Sequence, residues 1–294
     1  MARDLPFFQR IGIYGVGLLG GSVGLAIKRR WPQAQVVGIG RSVERLNEAV
    51  QCGAVDEIST QPDAIEPKLD ALILCTPVRL IPENFKQTLA SLTPNAVVTD
   101  VGSTKDELVA QCEAVAGNRV RFVGSHPMAG SHETGVAAAR AELLDGRVCI
   151  VTPNETSDAE AVKLTLEFWQ ELGMRVTEMS PADHDRLTAH SSHLPHLTAK
   201  ALCRVAEAQG DAILPVVGTG FHDTTRLAAG SPDIWFDICL DNQSAICDAL
   251  TALSDELISL KKLIESGDEA GLREFLEKAK AWKDKHGPRN DSKE

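Results

Sequence analysis

The segment Gly15-Val16-Gly17-Leu18-Leu19-Gly20 restricts the fold more than any other stretch of this 294-residue chain. It follows the apolar run Ile11–Tyr14 and opens a helical pattern that reaches about Trp31. Gly15 permits a tight turn, Gly17 leaves room for a pyrophosphate against the backbone, and Gly20 lets helix and strand pack closely. Leu18 and Leu19 begin the helix, whose unpaired N-terminal amides and dipole favour an anion. Glycines can also serve turns alone. The order strand, glycine loop, helix and second strand makes a dinucleotide cradle the stronger reading.

Apolar runs at 11–14, 36–39, 71–75, 96–99, 120–123, 148–151 and 175–178 alternate with amphipathic stretches. Such alternation predicts an α/β fold of the Rossmann type, a doubly wound and mainly parallel sheet with helices on both faces. Beyond residue 180 the strand-like runs stop. Ser180 reads as a helix cap, with Pro181 at the first helical position and Asp183 in the first turn. The domain boundary is therefore placed there. Residues 1–180 form the dinucleotide-binding domain, and 181–294 an all-α domain with helices near 181–208, 211–217, 232–240, 243–266 and 268–285. The last eight residues read as a frayed polar tail.

Composition narrows the function. Thirty Lys and Arg against 41 Asp and Glu give a net charge of -11, which argues against a nucleic-acid surface. Seven cysteines form no Cys-x-x-Cys pair and read as reduced, cytosolic thiols. The first ten residues contain Asp4, Pro6 and Gln9, where a secretory leader needs an apolar core. No stretch has membrane-spanning length without charge. A soluble cytoplasmic protein acting on a small molecule is expected.

The second apolar run ends in Gly38-Ile39-Gly40-Arg41-Ser42. An NAD site usually places an acid there for the ribose 2′-hydroxyl, whereas a guanidinium beside a hydroxyl suits a 2′-phosphate. NADP is thus expected over NAD. The bland alternative is a solvated Arg41 and a Ser42 that only caps the next helix.

Chemistry in such a sheet gathers at the carboxyl ends of strands. Three ends are polar here: Cys75-Thr76-Pro77, Asp100-Val101-Gly102-Ser103 and Ser125-His126-Pro127-Met128-Ala129-Gly130. Thr76 and Pro77 fall beside the expected cofactor. Ser103 reads equally as a catalytic hydroxyl or as the N-cap of the helix it precedes. His126 lies in a turn just past an apolar strand, where a neutral imidazole can take a proton from an alcohol.

Further along, His184, His190, His193 and His196 cluster at helical spacing. Without a His-Glu-x-x-His pattern, and with no acid between His190 and His196, no metal site is expected. A polar pocket wall is the better reading. Arg226, after the glycine-opened segment from Gly218, can clamp a carboxylate, although a surface salt bridge is the ordinary fate of an arginine. Trp235 reads as core or pocket wall.

Taken with the glycine loop, these groups resemble the prephenate and arogenate dehydrogenase family of tyrosine biosynthesis. The likeness rests on Cys75-Thr76-Pro77, Thr99–Ser103, Ser125–Gly130, His184-Asp185, Ser192–His196, Gly220–Arg226 and Trp235, in the family's order. It implies oxidative decarboxylation of a cyclohexadienol dicarboxylate, with hydride passing to the nicotinamide. By that resemblance His126 accepts the 4-hydroxyl proton and Ser103 holds the imidazole or the hydroxyl. Arg226 and His196 bind substrate oxygens, while His193 and Trp235 shape the wall. The resemblance also implies a homodimer. Prephenate is preferred to arogenate because the histidines offer donors to a keto oxygen. Competing readings are a 3-hydroxyacid dehydrogenase centred on Lys200, a silent NADP-binding sensor and a metal-dependent hydrolase.

Overall fold

The computed structural model describes residues 8–130 and 133–287. The N-terminal segment read above as no leader and the final polar residues fall largely outside them.

Among the described residues eight strands form a single sheet: β1 (Arg10–Tyr14), β2 (Gln35–Ile39), β3 (Glu57–Ser59), β4 (Leu69–Leu74), β5 (Leu92–Asp100), β6 (Arg121–Pro127), β7 (Val148–Thr152) and β8 (Arg175–Glu178). Their spatial order is β3-β2-β1-β4-β5-β6-β7-β8. All neighbours are parallel except β6 and β7. The chain winds outward from β1 to β3, then returns to lay β4 on the other side of β1. The β1/β4 junction is the switch point where such sheets hold ligands.

Period-two alternation sends the strand side chains to two separate cores. Ile11, Ile13, Ala71 and Ile73 face one layer with Trp31, Phe168 and Trp169. Tyr14, Leu72, Leu74 and Val98 face the other with Phe85, Leu108 and Phe122. Helices cover both layers: α1 (Leu18–Arg30), α2 (Val43–Gln51), α3 (Ile81–Thr88), α4 (Asp106–Ala116) and α5 (Ala159–Glu171). The expected doubly wound architecture is present.

Three local features depart from the sequence reading. β3 is an additional strand, too short and too exposed to carry an apolar run. β6 continues past Val123 through Ser125, His126 and Pro127, because antiparallel β7 pairs His126 with Ile150 and Pro127 with Cys149. His126 is thus a strand residue, not a turn residue. The helix expected over 181–208 is three pieces: α6 (Pro181–Thr188), a π-helical turn at Ala189–His193 and α7 (Leu194–Glu207). Pro195 lacks an N–H, and its ring crowds the carbonyl four residues earlier, which widens the turn before it.

The remaining helices are α8 (Thr219–Thr225), α9 (Pro232–Asp241), α10 (Gln243–Ser266) and α11 (Glu269–His286). Compactness divides the chain into Met1–Gln243 and Ser244–Glu294. The described residues of the second unit are α11 and all but the first residue of α10, joined by a turn at Gly267. Gly267, at φ 67°, ends α10, and the Asp268 carboxylate caps α11 by accepting from the Gly271 amide at 2.9 Å.

Candidate active site

The glycine loop sits at the switch point. Gly15 has φ 93°, and a β-carbon there would lie 2.8 Å from the Cys75 carbonyl oxygen. A β-carbon on Gly20 would lie 2.2 Å from the Gly15 oxygen, so only glycine lets α1 approach β1 this closely. Gly17 faces open space and caps α1 with no side chain on its amides. The first turn carries no acid and the last turn carries Lys28, Arg29 and Arg30, the polarity an anion at the N-terminus requires. This cradle fits a dinucleotide pyrophosphate at the Leu18, Leu19 and Gly20 amides.

Beside it, Arg41 is exposed and makes no hydrogen bond or ion pair among the described residues. Ser42 is the N-cap of α2, its Oγ accepting from the Arg45 amide at 3.3 Å and donating to Glu44 at 2.7 Å. At the end of β4, Thr76 Oγ accepts from Asn84 Nδ2 at 2.8 Å, and Pro77 is exposed.

The ends of β5 and β6 are clamped by a buried ion pair that no sequence pattern announces. Lys105 and Asp100 are both fully buried, with Nζ against the carboxylate. Asp100 also accepts from the amides of Gly102 at 2.7 Å and Ser125 at 3.1 Å, and Lys105 Nζ donates to the Ser125 carbonyl at 2.9 Å. Every polar atom of the pair is thereby used, which such burial demands. Ser103 lies half-buried in the intervening loop. It is not a helix cap, since α4 begins only at Asp106. The Asp185 carboxylate serves that helix from a distant segment, accepting from the amides of Lys105 at 2.8 Å and Asp106 at 2.9 Å.

His126 is buried at the carboxyl edge of β6. Its Nδ1 lies 2.8 Å from Nε2 of His184, whose Nδ1 lies 2.7 Å from Oδ1 of Asp185. Burial above all, with the unfavourable electrostatics of a cation beside His184, Lys105 and His193, pushes the His126 pKa well below the usual imidazole range. Burial also lowers His184, against the opposing hydrogen bond to Asp185.

The π turn separates the other histidines. His190 is exposed, whereas His193 is buried and His196 half-buried. Asn242 Nδ2 donates to the Asp185 carbonyl at 2.8 Å and lies 3.3 Å from Nδ1 of His193. The His193 Nδ1 must then accept, and its buried Nε2–H has no partner among the described residues. Burial takes His193 down to a pKa of about 4. His196 donates from Nδ1 to the Ser192 carbonyl at 3.0 Å and stacks on Trp235 with ring centroids 4.2 Å apart; His193 meets the same indole edge-on at 6.0 Å.

His126, His193, His196 and Trp235 are therefore linked through His184, Asp185 and Asn242. Arg226 is exposed and joins none of these contacts. Its turn is held by Lys200, which donates to the carbonyls of Ala228 at 3.0 Å and Gly230 at 3.1 Å. That use of Lys200 removes the residue on which a 3-hydroxyacid dehydrogenase reading depended. Among the described residues no group of three His, Cys, Asp or Glu side chains could hold a metal. A separate cleft of about 190 Å³, lined by Val78, Arg79, Thr104, Glu107, Leu108, Gln111 and Asp241, does not include His126.

A glycine cradle at the switch point, with a buried neutral histidine on the same carboxyl edge, defines a nicotinamide-dinucleotide-dependent oxidoreductase. Comparison with known proteins gives the family. The profile described as prephenate dehydrogenase, nucleotide-binding domain, matches residues 23–178, and that described as prephenate dehydrogenase, dimerization domain, matches residues 180–278. The chain belongs to the prephenate dehydrogenase family. It is similar to the prephenate dehydrogenase of Bacillus subtilis, with 34% identity over 92% of this chain and 74% of that protein. Among solved structures it resembles prephenate dehydrogenase from Aquifex aeolicus in complex with hydroxyphenyl propionate and NAD+, at TM-score 0.89 and 34% identity over 96% of this chain and 99% of that one. It also resembles Synechocystis arogenate dehydrogenase, at TM-score 0.82 and 28% identity over 94% and 99%.

Proposed function

We propose that the protein oxidatively decarboxylates prephenate to 4-hydroxyphenylpyruvate, using NADP in preference to NAD, as a cytoplasmic homodimer. The observation that carries this reading is His126, buried and neutral on the sheet edge that also bears the glycine cradle. The nicotinamide supplies the hydride acceptor. His126 takes the 4-hydroxyl proton as that hydride leaves, and Ser103 orients the hydroxyl or the imidazole. Loss of the ring carboxylate as carbon dioxide makes the ring aromatic and drives the step.

The cofactor is assigned to Gly15, Gly17, Leu18, Leu19 and Gly20 for its pyrophosphate, Arg41 and Ser42 for the 2′-phosphate, and Thr76 and Pro77 beside the nicotinamide. The unpaired Arg41 favours NADP, and Ser42 keeps its capping role. Arg226 is assigned to a substrate carboxylate, with His196, His193 and Trp235 as the wall. The free Nε2–H of His193 is a donor for a keto oxygen or carboxylate, which suits prephenate. His196 spends its Nδ1–H on Ser192, leaving Nε2 as an acceptor. That lone pair suits the ammonium of arogenate and favours arogenate as the alternative substrate.

We assign cofactor binding to residues 1–180, and substrate binding and dimerisation to 181–294. Exposed Ile234 and Phe236 on α9, Leu257, Ile258 and Ile264 on α10 and Trp282 on α11 support self-association. The test is absorbance at the reduced-nicotinamide band with prephenate and arogenate, each paired with NAD and NADP. Higher kcat/KM for prephenate with NADP is expected. Higher kcat/KM for arogenate overturns the substrate assignment, and for NAD the cofactor assignment.

A further inference from the structure

The chain His126–His184–Asp185 fixes which nitrogen of His126 is basic. Asp185 Oδ1 accepts from the Lys105 amide and lies 2.7 Å from Nδ1 of His184. An ionised carboxylate can only accept, so His184 carries its proton on Nδ1. Its Nε2 then presents a lone pair to Nδ1 of His126, 2.8 Å away. Two lone pairs cannot share that contact, so His126 carries its proton on Nδ1. The lone pair of His126 is left on Nε2, the atom with no protein partner among the described residues. Free histidine in water favours the opposite tautomer, with the proton on Nε2 and no basic nitrogen there.

We propose that His184, held by Asp185, is a positioning residue that sets the tautomer of His126 and stabilises the imidazolium formed during turnover. This rests on the reading of His126 as the base. When the substrate hydroxyl delivers its proton to Nε2, the Nδ1–H stays on its bond to His184, and the new positive charge faces the Asp185 carboxylate through one neutral imidazole. No proton has to cross to His184. The arrangement opposes the Lys105 ammonium and the His193 ring, which disfavour a cation at His126, while Asp100 is spent on Lys105. Asp185 itself is immobilised by the first amides of α4, so it cannot swing away from His184.

The experiment combines 15N NMR of histidine-labelled enzyme with steady-state kinetics of three variants. The wild type should show His126 protonated at Nδ1. His184→Leu should lower kcat about a hundredfold, with KM for prephenate and cofactor Kd within about threefold, because orienting partners of this kind carry 10- to 100-fold effects and a wrong tautomer costs more. In that variant the His126 resonances should move to the Nε2–H pattern. His184→Gln, whose Oε1 can accept from Nδ1–H, should recover roughly tenfold of the loss. Finding the wild-type ring protonated at Nε2, or kcat of His184→Leu within about threefold of wild type, overturns the proposal. His126→Asn separates the two readings. If it keeps its turnover, the base assignment itself has failed; if it is inactive while His184→Leu is fully active, only the positioning role has.

Discussion

Acidification probes the buried imidazoles through stability, and His193 gives a magnitude. It is 1% exposed, accepts from Asn242 at Nδ1 and has a pKa of about 4 against an ordinary 6.5, chiefly because burial disfavours its charged form. A base with a lowered folded-state pKa binds fewer protons folded than unfolded. Its stabilising effect is therefore complete above 6.5, is lost as pH falls through 6.5, and stops declining below about 4. From pH 7.5 to pH 5 the unfolded chain gains nearly one proton at this site and the folded protein almost none, a loss of about 2 kcal/mol by linkage. His126 and His184 act in the same direction. Urea unfolding of wild type and His193→Asn at both pH values, at one protein concentration, isolates the single site. The variant loses packing at either pH, but its drop between them should be smaller than that of wild type by about 2 kcal/mol. Equal drops would refute the lowered pKa of His193 and with it the burial of a neutral ring.

Four further outcomes follow from the site. Arg41→Ala should weaken NADP binding roughly ten- to a hundredfold and leave NAD nearly unchanged in a fluorescence titration; equal losses for both cofactors would exclude a 2′-phosphate contact. Arg226→Ala should raise KM for both prephenate and arogenate by roughly tenfold or more, since the proposed clamp would be a charge-assisted contact to a carboxylate they share; unchanged constants would remove the clamp. Lys105→Met leaves the Asp100 carboxylate buried without its cation and should cost about 3 to 5 kcal/mol in chemical unfolding; a loss below about 1 kcal/mol would mean Asp100 is satisfied by amides alone. Because His126 must be neutral to accept a proton and its pKa is lowered by burial, kcat/KM should hold as pH falls through 6.5 and decline only well below it. A midpoint at 6.5 would contradict that burial.

The sheet was legible because its determinants are local. Apolar runs and the glycine loop state their period and their turn within a few residues, and they locate β1, β2, β4, β5, β7, β8 and the start of β6 without reference to the rest of the chain. What escaped was decided by distant pairing. Ser125, His126 and Pro127 are polar or lack an N–H, so nothing in them extends an apolar strand; β7 does so by running antiparallel alongside. Glu57-Ile58-Ser59 becomes a strand only because β2 offers an edge. The break within 181–208 was not read from the sequence, although Pro195 stands at it, and its consequence is chemical as well as geometric: the π turn buries His193 and leaves His190 in solvent.

The site divides along the same line. Residues suited to meet a substrate or cofactor, such as His126, Arg41 and Trp235, declare themselves by type and position after a strand or glycine turn. Residues that decide how those groups behave do not. Asp185 lies one turn into an ordinary capped helix, yet its carboxylate orders His184, completes the start of α4 80 residues away and, through its carbonyl, holds the Asn242 that sets the His193 tautomer. Lys105 looks like a surface lysine after a serine turn and is fully buried on Asp100. A histidine in the sequence is only a candidate base. Whether it carries a lone pair or a proton toward the pocket is set by its other nitrogen, so the partners of that nitrogen, His184 for His126 and Asn242 for His193, determine its chemistry.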